Sequence, residues 1–262
     1  EKLQKHEIDY APSFLAGGWS DKASEVYNDL DHFNVFKSLP IKVWMICFTP
    51  RAIANSSVKQ RMFAARTLAN LLRKILNAPD NKPTIEFFQG MSDGNIDDEQ
   101  RKIVSELRNV GEEPKFEHPL QLAVPEERFA FYKESLKDHP EIEVVNTKVG
   151  AYLLPVSQRR DMYVVATDSA WNENISLLGH NLDNTFHLPG LDGEQWLTDY
   201  TQTDDKLARI EKLRDLHFKM LRLGVIYPVI VSPYLTFSKK PWAMNFDPFS
   251  SESITWQMRI EP

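Results

Sequence analysis

The sequence predicts an α/β fold, a mixed sheet flanked by helices, because two hydrophobic periods alternate along it. Short apolar runs, 41–48 and 161–167 among them, have the length and content of buried strands. Between such runs lie stretches with apolar residues at three- and four-residue spacing, the signature of an amphipathic helix. Strand, loop, helix and return strand make up the unit of an α/β layer. At 262 residues, 42% hydrophobic, with fifteen Phe and six Trp, the chain can fill a large core with aromatic side chains.

Residues 1–40 read as irregular, with Gly17-Gly18 and isolated aromatics such as Trp19 and Phe36. The run 41–48 is a strand closed by Pro50. From Ser57, a helix cap, Val58, Met62, Ala65, Leu68, Leu72 and Ile75 form one apolar face, with Lys59, Arg66, Arg73 and Lys74 opposite. That helix ends near Asn77-Ala78-Pro79. Residues 83–88 are a strand candidate. A second helix begins at Asp97 or Asp98, with Ile103, Val104 and Leu107 on one face, and meets Gly111 where a C-cap glycine is expected. Residues 112–160 hold five prolines and many charges, with a helix at 126–137 and a strand at 141–147. The strand 161–167 ends on the polar cluster Asp168 to Asn174. Residues 204–223 are the strongest helix, ended by Gly224. The strand 225–231 is interrupted by Pro228 and so belongs near an edge or bend. The tail is irregular apart from a strand-like 254–258.

Composition excludes some functions. The net charge is −6 with no basic stripe, so the electrostatic footprint of a nucleic-acid binder is missing. Cys47, the single cysteine, lies inside an apolar run and reads as an inert buried thiol. No stretch reaches the roughly 18 consecutive apolar residues that span a bilayer. The first residues carry charges with no apolar segment after them and no Met, so the chain is expected to be a processed or truncated piece.

Catalytic signatures are absent: no Gly-rich phosphate loop, no G-x-S-x-G elbow, no H-E-x-x-H, and no motif calling for a cofactor. His180 and His187 flank Asp183 in loop-like sequence and read as solvated histidines rather than metal ligands. His217 falls on the apolar face of its helix and reads as a satisfied core histidine. Asp168 follows an apolar strand directly, which puts it at the carboxyl edge of a sheet, where open α/β sheets bind ligands. There it could hold a ligand ammonium with Trp171 as an apolar wall; an Asp in this place also caps turns and helices.

The order of these elements resembles the C-terminal half of the family-5 extracellular solute-binding proteins, the dipeptide, oligopeptide and nickel binders of ABC importers. Their helix reading V-R-x-A-x-x-x-A-x-x-R is similar to Val58-Lys59-Gln60-Arg61-Met62-Phe63-Ala64-Ala65-Arg66. Their P-x-x-L-x-L strand resembles Pro83 to Phe88, and their helix ending in L-x-x-I-G-I resembles Glu106 to Gly111. A strand of the type D-x-x-x-x-x-W/A-D resembles Asp161 to Asp168. The late helix and a strand through P-x-I-P-L/V resemble Arg209 to Ile230.

The resemblance implies a type II periplasmic-binding-protein-like lobe at residues 58–236. Residues 1–57 and 237–262 would belong to, or link with, the N-terminal lobe. It implies a non-enzymatic protein that captures a small solute, most of all a peptide, between two lobes outside the cytoplasm. Its partners would be the importer's membrane subunits and the N-terminal half of the same protein. Asp168 would pair with the ligand's terminal ammonium, with Trp171, Tyr163, Asn172 and Asn174 as further contacts. The family's A-D-Y-x-x-P wording is not kept, since Ser169-Ala170-Trp171-Asn172 follows Asp168. Two other readings stand beside it: a cytoplasmic ligand-sensing domain of a transcription regulator, and an unrelated α/β enzyme using Asp161, Asp168 and His180.

Overall fold

The computed structural model describes residues 10–11, 32–78, 80–89, 93–151, 154–168, 182, 186–240, 242–246 and 253–260. In chain order its elements are β1 (Tyr10–Ala11), β2 (Phe33–Phe48), α1 (Pro50–Asn55), α2 (Val58–Ile75), β3 (Lys82–Pro83), α3 (Asp98–Arg108) and β4 (Leu120–Pro125). There follow α4 (Glu126–Ser135), β5 (Ile142–Thr147), β6 (Met162–Asp168), α5 (Gly193–Thr201), α6 (Lys206–Arg222), β7 (Ile226–Lys239), β8 (Trp242–Phe246) and β9 (Ser253–Ile260). The main sheet runs β1-β7-β2-β6-β4-β5, with β3 also paired to β7, and β8 and β9 form a separate ribbon. The mixed α/β architecture expected from the alternating periods is present.

Two compact units divide the chain: Glu1–Lys42, Arg73–Pro83 and Ile230–Pro262 in one, Val43–Leu72 and Thr84–Val229 in the other. The second holds a parallel core. β4 pairs parallel with β5 from Leu120↔Ile142 to Pro125↔Thr147, and with β6 at Leu122↔Met162 and Ala123↔Tyr163. A parallel pair needs a crossover, and α4 supplies it, starting at Glu126 directly after β4 with Glu126 and Glu127 in its first turn. Parallel strands are covered on both faces, which is why Leu122 and Val124 and the intervening Ala123 are all buried. The end of β2, from Val43 to Phe48, is buried throughout. Its last amide, on Phe48, donates to the Val225 carbonyl, and the Thr49 amide donates to that of Asp161.

Helix α2 starts as the sequence indicates. The Ser57 hydroxyl accepts from the Gln60 amide at 3.2 Å while the Gln60 side chain accepts from the Ser57 amide at 2.7 Å, a capping box. Met62, Ala65, Leu68 and Leu72 are buried along its apolar face. Arg61 is buried beside them. Its guanidinium donates to the carbonyls of Ser56, Leu223 (2.7 Å) and Gly224 (3.2 Å), which joins the ends of α1 and α6 to the first turn of α2. Burial pushes Arg61 down to about 10, so it remains a cation at neutral pH. Gly224, at φ 61, ends α6 in the left-handed region.

Residues 84–89 correct a sequence expectation. Only Lys82 and Pro83 join the ladder, against Val231 and Ile230 of β7. The Thr84 amide still donates to the Val229 carbonyl of β7 at 3.1 Å, and past it the backbone finds other partners. Arg108 donates to the carbonyls of Thr84, Ile85 and Pro228, and its guanidinium lies 4.0 Å over the Tyr227 ring. The Phe87 amide donates to Nε2 of His217 at 3.0 Å, and Nδ1 of His217 lies 2.8 Å from the Gly94 carbonyl. Phe87 and Phe88 are buried all the same, so the apolar run is core without being strand. His217 is the satisfied core histidine its helical position suggests, fully buried.

In the first unit β1 pairs antiparallel with the end of β7, Tyr10↔Ser238. Asn81 donates to the Leu76 carbonyl at 2.8 Å, closing the turn after α2. The ribbon pairs Trp242↔Ile260 and Phe246↔Ser253.

Other differences from the sequence reading have local causes. β2 begins at Phe33, inside the stretch read as irregular, and runs through Pro40; β7 likewise continues through Pro228 to Lys239. Pro50 opens α1 as its first residue, capped by Thr49, as well as closing the strand. β4 is bracketed by Pro119 and Pro125, which masked it. α5 carries an Asp192 cap but a thin apolar face. α3 ends at Arg108 with Asn109 as its cap, so Gly111 is not its C-cap glycine.

Two substitutions test this account. Arg61→Met should lower the unfolding free energy by about 3 kcal/mol in urea, because it leaves buried carbonyls without donors; Arg61→Lys should restore little of it, one ammonium being unable to span three carbonyls. A Cβ on Gly94 would lie 2.5 Å from Cδ2 of the buried Phe88 ring. Gly94→Ala should therefore cost about 1–3 kcal/mol, seen as a lower urea midpoint at unchanged slope.

Candidate functional site

The polarity of β4, β5 and β6 defines two different edges. All three run parallel, so Pro125, Thr147 and Asp168 end them on one side, the side on which open α/β sheets place ligands. Asp168 is the last residue of β6, where the sequence put it. Its side chain, and all of Trp171, Asn172 and Asn174, lie outside the described residues, as do His180 and Asp183.

Tyr163 is described, and it is an interior residue at 1% exposure. Its hydroxyl accepts from Nη1 of Arg159 at 3.3 Å. The same Nη1 lies 3.5 Å from Nε2 of His187, and Nε of Arg159 donates to the Leu154 carbonyl at 2.8 Å. Arg159 is itself buried and was not singled out from sequence, where it appears only as one of two arginines before a strand. It gathers three separate parts of the chain: the turn before β6, β6 itself, and the segment around His187. Burial pushes both the Tyr163 phenol and the Cys47 thiol up, with Arg159 opposing the shift in each. A thiol so disfavoured as thiolate is not a nucleophile, in keeping with the inert reading of Cys47.

The opposite edge is occupied by structural bonds. Asp161, just before β6, accepts from the Gln121 amide at 2.9 Å and pairs with Nε of Arg51 at 3.1 Å. Arg51 also donates to the Gln121 side chain at 3.2 Å, which in turn donates to Glu143 at 2.8 Å. Asp161 and Asp168 stand at the two ends of one strand, seven residues or roughly 23 Å apart at the usual rise. They cannot act as a catalytic pair, and an enzyme built on the two together is ruled out on geometry.

Among the described residues no group of three His, Cys, Asp or Glu is placed to hold a metal ion, and no helix is long and apolar enough to cross a membrane. One concavity of ≈ 340 Å³ lies beside α5 and α6. Leu188, Leu191, Trp196 and Leu216 line it, and Lys212, Asp215 and Lys219 bring both signs of charge to it.

No family model matches this sequence, and no curated protein matches it either. Solved structures do. The dipeptide binding protein from Pseudoalteromonas sp. SM9913, in complex with Met-Leu, superposes with a TM-score of 0.70 at 10% identity, covering 99% of this chain and 55% of that one. The murein tripeptide binding protein MppA of Escherichia coli gives 0.64 at 16% identity, covering 99% and 55%. NikA from Brucella suis, in complex with Fe(III)-EDTA, gives 0.65 at 14% identity, covering 99% and 59%. The chain thus spans little more than half the length of these proteins. Its structural neighbours are family-5 solute-binding proteins, and it carries their type II periplasmic-binding-protein-like fold over that half.

Proposed function

We propose that this chain is the C-terminal portion of the substrate-binding component of an ABC importer, which captures a small solute, most of all a peptide, between two lobes. The observation that carries this reading is the extent of the fold. Nearly all of the chain follows proteins whose named ligands include Met-Leu and a murein tripeptide. Residues 58–236 form the C-terminal lobe in this reading, while 1–57 and 237–262 belong with the N-terminal lobe. The N-terminal half of the same protein supplies the facing wall, the importer's membrane subunits take the loaded protein, and the setting is periplasmic or extracytoplasmic. The protein binds and releases its ligand unchanged.

Asp168 supplies ionic capture of a cationic or amine-bearing ligand from the carboxyl end of β6. At the other end of the strand Asp161 is committed to Arg51 and to the Gln121 amide. Trp171 walls the apolar body of the ligand, and Asn172 and Asn174 offer polar contacts. Tyr163, buried against Arg159, supports the strand behind them.

A thermal-shift screen of the protein carrying both lobes, against short peptides, amino acids and oligosaccharides, tests the reading. A saturable rise in melting temperature with one class identifies the ligand type; no shift with any of them removes the transport assignment. Asp168→Asn should weaken binding of an amine-bearing ligand by about 1.5–3 kcal/mol in titration calorimetry, the worth of a hydrogen bond to a charged group. Unchanged affinity would take Asp168 out of the site.

A further inference from the structure

Side chains from α3 and α6 hold residues 84–89 and 94–96, and one of them works only when neutral. From α3, Arg108 bonds the Thr84 and Ile85 carbonyls, and Arg101 bonds Glu86 (2.9 Å) and the Ile96 carbonyl (3.0 Å). Glu86 also accepts from the Ile96 amide at 3.2 Å. From α6, Arg214 donates to the Asn95 carbonyl at 2.9 Å, and His217 holds both the Phe87 amide and the Gly94 carbonyl. An arginine keeps its charge at any pH the fold meets, so its bonds to carbonyls persist. His217 is different. Its Nε2 faces an N–H, which can only donate, and its Nδ1 faces a carbonyl, which can only accept. The ring is therefore the neutral Nδ1–H tautomer.

A second proton on Nε2 would set donor against donor and leave a cation fully buried. Phe88 closes edge-on at 4.9 Å between ring centroids. The charged group facing the ring from α3 is the Arg108 guanidinium, which opposes a second positive charge. On α6 itself Arg214 lies one turn away, and in the segment the Glu86 carboxylate is engaged by Arg101 and the Ile96 amide. Among the described residues no carboxylate bonds the ring.

We propose that His217 is an acid-sensitive latch: its protonation detaches Phe87 and Gly94 from α6 while the parallel core of β4, β5 and β6 stays folded. The local geometry favours partial over global opening. The described residues 84–89 lie in no helix or strand, whereas the core strands are tied by regular backbone bonds. Burial, with a smaller contribution from Arg108, pushes His217 down to about 4 against the backbone bond to Gly94. A histidine whose folded value lies below its free value of about 6.5 binds fewer protons closed than open. The closed form is fully favoured above 6.5 and loses its advantage as pH falls from there toward 4.

Hydrogen exchange of the 262-residue chain, read by mass spectrometry at pH 7 and pH 4.5 and corrected for intrinsic rates, decides the matter. The amides of residues 86–89 and 94–96 should lose at least tenfold in protection at the lower pH, with those of β4 and β6 unchanged. In His217→Gln, whose amide can donate to Gly94 and accept from Phe87 at either pH, that loss should vanish. The proposal is overturned if protection at 86–96 is independent of pH in the wild-type chain. It is equally overturned if core and latch lose protection together, or if His217→Gln shows the same acid loss. Should the variant fail to fold, the wild-type comparison of latch with core still decides.

Discussion

Buried backbone that is not in a helix or ladder must still find hydrogen-bond partners, and in this protein buried cationic and imidazole side chains provide them. Arg61 gathers three carbonyls at the junction of α1, α2 and α6, Arg108 gathers three around the departure of the chain from β7, and Arg159 takes the Leu154 carbonyl before β6. Each leaves the aliphatic stem in the core and spends the guanidinium on oxygen atoms that would otherwise be desolvated. These contacts let Phe87 and Phe88 be fully interior without a strand to carry them. They also determine which substitutions are conservative. A planar fork reaching several carbonyls has no equivalent in lysine.

The parallel pairing of β4 with β5 and β6 imposes the second constraint. Parallel strands put all their amino ends on one side and all their carboxyl ends on the other. Asp161, Arg51, Gln121 and Glu143 spend their polar groups on one another and on backbone at the amino side. The carboxyl ends of such strands are where open α/β sheets place ligands, and the bonds of Asp161 keep its carboxylate at the other end of β6.

The sequence revealed the elements whose signals are local and strong. Ser57 and Asp97 before their helices, and Gly224 after α6, mark helix ends that the structure reproduces. It concealed the elements whose signals are borrowed from tertiary context. β4 lies between two prolines and is recognisable only once β5 and β6 flank it. The run 83–88 has strand composition, but past Pro83 and the Thr84 amide its backbone bonds turn to side chains such as those of Arg108 and His217, more than twenty residues away along the chain. Arg159 gave no signal at all, because a buried arginine is defined by what surrounds it. Tyr163 lies on the strand before Asp168, and sequence pattern alone does not say which side chains of that strand face the interior. The remaining candidate side chains, from Asp168 to Asn174, lie where the description stops.

A fold shared at 10–16% identity has been fixed by pattern rather than by particular residues. Apolar positions at strand and helix periods recur because any residue of suitable size satisfies them, and core packing tolerates such exchange when volume and pattern are kept. The neighbours on this one fold are seen with ligands as unlike as Met-Leu and Fe(III)-EDTA. One fold thus serves unlike ligands, and what a site binds is set by the particular side chains placed on it rather than by the packing that holds them. In this chain β6 is held between β2 and β4, so its apolar residues answer to packing whatever the protein binds.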